Sequence, residues 1–243
     1  GERQLSEIGI EDAAWSEAQS IELVNGAKVT AIDHQANSLE LASGETVAFK
    51  KLLLATGSQP SIPPIPGLAD VPAHTLFCTD DAEALRPLCK EGGRALVLGI
   101  GLIGMQAISA LTELGLQVTA VEMQPKVLPL ILDGDAAKLV AQRIESNGVT
   151  LKLGTAITEC GPEGDSFVAL TDGGERIGFD VAVVATGMRP DLELLTDLSV
   201  EKDRGIKVSE TMETSLPGIY AAGDVTEYPN WVEGGSEVHA HWL

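Results

Sequence analysis

One strand-and-turn occurs twice in this chain. Residues 44–60 read GETVAFKKLLLATGSQP and residues 174–190 read GERIGFDVAVVATGMRP, at a constant offset of 130 positions with no gap. Gly, Glu, Phe, Ala, Thr, Gly and Pro recur in register. In each copy a short apolar run stops at Ala-Thr-Gly. Such a short apolar run suits a parallel strand buried on both faces, so KKLLLATG (residues 50–57) and VAVVATG (residues 181–187) are expected to hold such strands. Two related α/β units account for a register-perfect repeat better than two unrelated strands ending in glycine turns. SQPSIPPIPG follows the first copy, and its prolines forbid a helix. It reads as an ordered connector between lobes.

Between the copies lies RALVLGIGLIGMQAISALTELGLQVTAVEM, which reads as strand, glycine turn, helix, strand. Gly99, Gly101 and Gly104 form GxGxxG. The pattern is weak alone, but here it follows an apolar strand and opens a helix. In that setting Gly99 permits the tight turn, Gly101 lets backbone approach a pyrophosphate, and Gly104 lets the helix pack close to the strand. The helix start, with Leu102 and Ile103, offers unpaired N–H groups and about half a positive charge. The second strand ends at Glu122, 23 positions after Gly99, near the spacing of about 20 that dinucleotide sites use. A carboxylate there accepts the ribose hydroxyls of NAD(H) and repels the 2′-phosphate of NADP(H). Lys126 lies nearby and softens that preference. The competing reading is a Rossmann-like unit with no nucleotide, or with another adenine cofactor.

The remaining elements follow from turns and caps. Residues 21–32 read as strand, Asn25-Gly26 turn, strand, and a second hairpin turns at Ser43-Gly44. Helices are expected over 80–89 and 135–146, the latter ended by Asn147-Gly148. A strand at 149–154, a three-stranded meander and the run 181–184 close the central unit. Residues 205–224 hold two more strands, the second stopping at Gly223-Asp224.

Composition narrows the partners. Lys and Arg total 16 against 36 Asp and Glu, a formal charge of −20, which repels nucleic-acid phosphates. No run approaches the ~18 apolar residues of a membrane helix, and no signal peptide is visible, so no membrane partner is expected. Cys78, Cys89 and Cys160 are odd in number and widely spaced, which argues against a disulfide framework or zinc site and for a cytoplasmic protein. His239 and His241 stand at i, i+2 spacing without a further ligand cluster, so no metal is expected. His34 and His74 read as solvated, and Trp231 and Trp242 as packing residues.

The glycine turn, the two ATG strands and ETSLPGIYAAGD (residues 213–224) together resemble the pyridine nucleotide–disulfide oxidoreductase family of flavoprotein reductases. The likeness runs from about Ile21 to Leu243 and is nearest to the NADH oxidase, rubredoxin reductase and nitrite reductase branch. It implies a three-layer α/β architecture with β-meanders: a Rossmann-like NAD-binding domain inserted into an incomplete FAD-binding domain. Residues 1–91 would be the first FAD-domain segment and linker, 92–190 the NAD domain, and 191–243 the second FAD-domain segment. In the resemblance Thr186 and Gly187 belong to the NAD site. Thr56, Gly57, Gly223 and Asp224 belong to the FAD site, with Asp224 on the flavin ribityl chain. The implied cofactors are FAD and NAD.

The implied reaction passes a hydride from NADH to the flavin. Electrons then go to an acceptor that is a small redox protein, a nitrite-reductase domain, a disulfide or oxygen. No side chain of this chain is assigned a catalytic role. The alternative is a non-catalytic NAD-binding module or nucleotide sensor. Two departures stand out. The family's loop usually ends GxGxxGxE, where this chain has Gln106, a neutral amide near the nicotinamide. Phe77-Cys78 replace the usual Arg-Thr of the linker helix. In the second copy the glycine turn precedes ATG by 86 residues, which would put the first copy's turn before Gly1. The chain is therefore expected to be an internal segment of a longer reductase, with the disulfide-type cysteine pair, if any, upstream. A homodimer is expected for the full-length protein, through a C-terminal interface domain that is missing here.

Overall fold

The computed structural model describes residues 13–230 and 234–238. These divide into a central unit, residues 60–187, and a flanking unit built from residues up to Gln59 and from Met188 onward.

The central unit is a five-stranded parallel sheet. Its order is Ala73–His74, Val181–Val184, Arg94–Leu98, Gln117–Glu122, Thr150–Leu153. Side chains of a strand alternate between faces, and Arg94–Leu98 divides accordingly. Ala95 and Val97 face a helical layer formed by Leu85, Ala107, Ile108, Leu111, Ala137 and Ile144. Leu96 and Leu98 face an antiparallel meander of Ile157–Glu163, Ser166–Thr171 and Arg176–Phe179, through Ala169, Ile177 and Phe179. The result is three layers: helices, parallel sheet, meander. Both faces of the sheet are covered, which is why its central strands, Val181–Val184 and Ala95–Leu98 of Arg94–Leu98, are apolar and buried.

The helices begin and end where local chemistry puts them. Leu102–Glu113 stops before Gly115, at φ +80°. Gly134–Ser146 is capped by Asp133, whose Oδ1 accepts from Asp135 N at 3.1 Å and Ala136 N at 2.8 Å, and it ends at Asn147-Gly148. The helix expected over 80–89 is Thr79–Leu85, continued by one 3-10 turn, Arg86–Leu88.

The flanking unit contains a meander of Val29–Asp33, Ser38–Leu41 and Thr46–Ala48. Leu52–Leu54 pairs in parallel with Ile219–Ala221. A small sheet joins Ile206–Lys207, Thr226–Pro229 and Ser236–Glu237. Leu54, Leu195, Ile206, Ile219, Ala221 and Val225 make its core.

Three expectations change. Residues 21–24 form no strand; Ile21, Leu23 and Val24 are exposed, and no described segment pairs with them. In the apolar run of the first copy, Leu52–Leu54, only Leu54 is buried, while Leu53 is 59% exposed. The second copy, by contrast, is buried at all four positions. Leu52–Leu54 has one neighbouring strand, and among the described residues nothing covers the face that carries Leu53. Residues 60–91 lie in the central unit, not with the flanking segments: Ala73–His74 is an edge strand of its sheet, and Leu68 and Val71 enter its core. His239, His241, Trp231 and Trp242 lie outside the described residues. Among the described residues no helix is long and apolar enough to cross a membrane, and no cluster of His, Cys, Asp and Glu could hold a metal.

Glu227 pins the small sheet of the flanking unit. It is 2% exposed. The Ser236 hydroxyl donates to one oxygen, and Arg204 N at 3.1 Å and Gly205 N at 3.3 Å donate to the other. The Ser236 bond leads in holding its carboxyl below the ordinary glutamate range, against burial and with help from the two N–H groups. A carboxyl depressed in the folded state contributes stability above its unfolded pKa of about 4.3, and that stability is lost as pH falls through the folded value. Glu227→Gln should therefore lower the urea midpoint at pH 6 and flatten its decline between pH 6 and pH 3.5. Parallel declines in both proteins would remove Glu227 from the acid sensitivity.

Candidate functional site

The three glycines of the turn meet three different surroundings. Gly99 has φ +91°, and a Cβ on it would lie 2.4 Å from the Ala185 carbonyl oxygen. A Cβ on Gly104 would lie 2.0 Å from the Gly99 carbonyl oxygen. Both are backbone obstacles that no rotamer change relieves. A Cβ on Gly101 would meet nothing within 4 Å. Gly99 and Gly104 thus serve the fold, while Gly101 faces open space at the helix start. Gly101 is the N-cap of Leu102–Glu113, and no side chain caps that end, whereas Asp133 caps the other long helix. Such an uncapped end presents N–H donors and positive potential outward, which fits a diphosphate. Leu102 is 48% exposed beside it.

Glu122 ends the adjacent strand, half-buried. Its Oε2 accepts from Ile100 N at 2.9 Å and its Oε1 from Gln124 N at 2.9 Å. An ionised carboxylate has about four acceptor positions, so acceptor capacity remains for ribose hydroxyls. Lys126, which could soften the preference for NAD(H), donates from Nζ to its own loop at Leu132 O, 2.5 Å away. Gln106 is exposed on the helix.

The two ATG segments are built alike. In the flanking unit Asp191 N donates to Gly57 O at 3.0 Å, and Thr56 Oγ1 to Asp191 O at 3.2 Å. In the central unit Ser61 N donates to Gly187 O at 2.9 Å, and Thr186 Oγ1 to Ser61 O at 2.5 Å. Gly57 and Gly187 both have positive φ, +70° and +110°. Thr56, Gly57, Gly223 and Asp224 come together because Leu52–Leu54 and Ile219–Ala221 run side by side and end together. The crevice beyond the carboxyl ends of parallel strands is where α/β sheets bind ligands. Ser58, 6% exposed, donates from Oγ to Asp224 Oδ2 at 2.9 Å and orients that carboxylate. A separate groove of about 490 Å³, lined by Ile62, Pro63, Leu68, His74, Asp81 and Val184 among others, shares no residue with either predicted site.

The model of the pyridine nucleotide-disulphide oxidoreductases matches residues 3–240. The chain belongs to that family. The NADH-dependent phenylglyoxylate dehydrogenase subunit epsilon of Aromatoleum evansii is 36% identical over 81% of this chain and 47% of its own length. Rubredoxin-NAD(+) reductase of Pseudomonas putida is 32% identical over 90% of this chain and 57% of its own length; it falls in the branch to which the sequence resemblance pointed. Among solved structures, the ferredoxin reductase for the CYP199A2 system from Rhodopseudomonas palustris superposes with a TM-score of 0.90 at 26% identity, over 96% of this chain and 58% of its own. The chain spans about half the length of these relatives. The cofactors of the family are FAD and NAD(P)H.

Sequence reasoning missed Ser58, Ser61 and Asp191. The last two had a signal: they differ by 130 positions, the offset of the repeat. Nothing marked Ser58 except its place after ATG, or Ile100 as the partner of Glu122.

The glycine contacts separate fold from ligand. Gly104→Ala should cost about 2 kcal/mol or more, as overpacking against backbone does. Gly101→Ala, at φ −84° and with open space ahead, should change stability by less than about 0.5 kcal/mol. Urea unfolding of both variants checks the pair; equal losses would contradict these roles.

Proposed function

We propose that this chain is the nucleotide-binding core of an FAD-dependent NADH oxidoreductase that delivers electrons to a small redox protein. The observation that carries the reading is the uncapped helix start at Gly101, open to a ligand while Gly99 and Gly104 on either side are filled by backbone. Under this reading the central unit, residues 60–187, holds NADH, and the segments up to Gln59 and from Met188 onward contribute to the FAD domain. Gly101, Leu102 and Ile103 receive the pyrophosphate, and Gly99 and Gly104 shape the turn around them. Glu122 receives the adenosine ribose, and Thr186 and Gly187 border the nicotinamide end. Thr56, Gly57, Gly223 and Asp224 line the flavin side, with Ser58 holding Asp224. When bound, the two cofactors supply the hydride donor and acceptor. The chain's residues bind, orient and exclude water. A rubredoxin reductase and a ferredoxin reductase among the relatives support a small redox protein as acceptor. Fold-level likeness alone does not name an acceptor.

Two measurements on the full-length protein test this. Gly101→Ala should weaken NADH at least tenfold, a loss of about 1.4 kcal/mol, because its methyl occupies the approach of the pyrophosphate. Unchanged affinity by calorimetry would move the site elsewhere. Asp224→Ala should leave NADH affinity intact and lower the flavin absorbance per protein. A colourless wild-type protein that ignores added FAD would instead favour a non-catalytic nucleotide-binding module.

A further inference from the structure

We propose that Glu122 is a positioning residue for the glycine turn: its carboxylate sets the turn in the shape that takes a diphosphate before any nucleotide arrives. The inference rests on the nucleotide reading of that turn. Ile100, between Gly99 and Gly101, is 0% exposed, so its backbone groups need partners inside the protein. Both are taken by the segment that begins at Glu122. Ile100 N donates to Glu122 Oε2, and Ile100 O accepts from Leu128 N at 2.9 Å. The second oxygen of Glu122 accepts from Gln124 N. One carboxylate therefore ties the turn to the loop that follows the strand.

The loop is itself held. Leu128 has φ +46°, a conformation that residues with a side chain rarely adopt. Its carbonyl accepts from Ile131 N and Leu132 N, each at 3.0 Å, while its own N–H reaches Ile100. Strain of this kind persists only where surrounding bonds over-determine it. Lys126 fastens the same loop at Leu132 O. The turn is thus gripped at both backbone groups of one buried residue by an already braced loop.

The acid then has two tasks on separate lone pairs, the turn and the ribose. Replacing it to admit NADPH removes the acceptor of a buried N–H as well as a repulsive charge, so affinity for both nucleotides falls.

Glu122→Gln and Glu122→Met lose the same charge and the same anionic grip on ribose. Only glutamine keeps an oxygen that can accept from Ile100 N. In the full-length protein, hydrogen–deuterium exchange over residues 97–105 and calorimetry with inorganic pyrophosphate, a probe without ribose, distinguish them. We expect glutamine to stay within about twofold of wild type in both measurements. Methionine should speed exchange and weaken pyrophosphate, each about tenfold, as expected for an unsatisfied buried N–H. Equal pyrophosphate affinity in the two variants, or wild-type exchange in the methionine variant, would overturn the positioning role. If wild-type protein binds neither pyrophosphate nor NADH, the nucleotide reading fails, and the exchange comparison still decides what Glu122 does.

Discussion

Three stretches of backbone converge at Gly99. The Ala185 carbonyl, just past the strand Val181–Val184, approaches from one side. The first turn of the helix approaches from the other, through Gly104. Because the contacts are carbonyl against Cα, a side chain at either glycine must move a strand or a helix, not a rotamer. This close approach aims the start of Leu102–Glu113 over the carboxyl ends of the sheet. It also sets the second ATG beside the glycine turn. Gly101 faces outward because its two neighbours in the motif are pressed inward.

The parts that could be read from sequence are those whose burial is decided locally. Arg94–Leu98 and Val181–Val184 are apolar on both faces, and each face has its own cover, helices on one side and meander on the other. Gly134–Ser146 carries its own cap and stop. The parts misread depend on what lies alongside. Leu23 and Val24 have the residue types of a strand, but a strand needs a partner, and none of the described segments supplies one. Leu53 has the pattern of its repeat-mate Val183, yet only the latter is sandwiched. Ala73–His74 is two residues long, too short for periodicity to register, and its pairing with Val181–Val184 draws residues 60–91 into the central unit. At the site, the glycines were visible because their spacing encodes local geometry. The Ser58–Asp224 bond joins residues 166 positions apart and leaves no mark on either neighbourhood.

The repeat has a structural counterpart beyond the strands. Each Ala-Thr-Gly is met by the residue that follows the proline of the opposite copy: Asp191 for Gly57, Ser61 for Gly187. The bonds are of the same two kinds, an N–H to the glycine carbonyl and a threonine hydroxyl to a carbonyl. A chain that leaves one unit and later returns needs both passages anchored. Here one solution serves both, and the duplicated sequence extends through the proline that fixes each exit. Glycine at the turn supplies the positive φ, which a side chain would disfavour.

Electrostatics make this arrangement more demanding than a glycine turn in a neutral protein. The chain carries a formal charge of −20, and one of the acids in that sum, Glu122, stands beside a turn whose helix contributes only about half a positive charge. A diphosphate arriving there is opposed at long range and attracted only locally. Salt resolves part of the conflict: at physiological ionic strength the screening length is about 8 Å, so most of the distant carboxylates are muted while the helix N–H groups act at contact. Glu122 cannot be screened away at that distance. Its two bonds to backbone N–H groups spread its charge into the protein and give the acid a structural reason to be there. Under the proposed reading, discrimination between the two pyridine nucleotides comes with the same side chain that ties the turn to its loop.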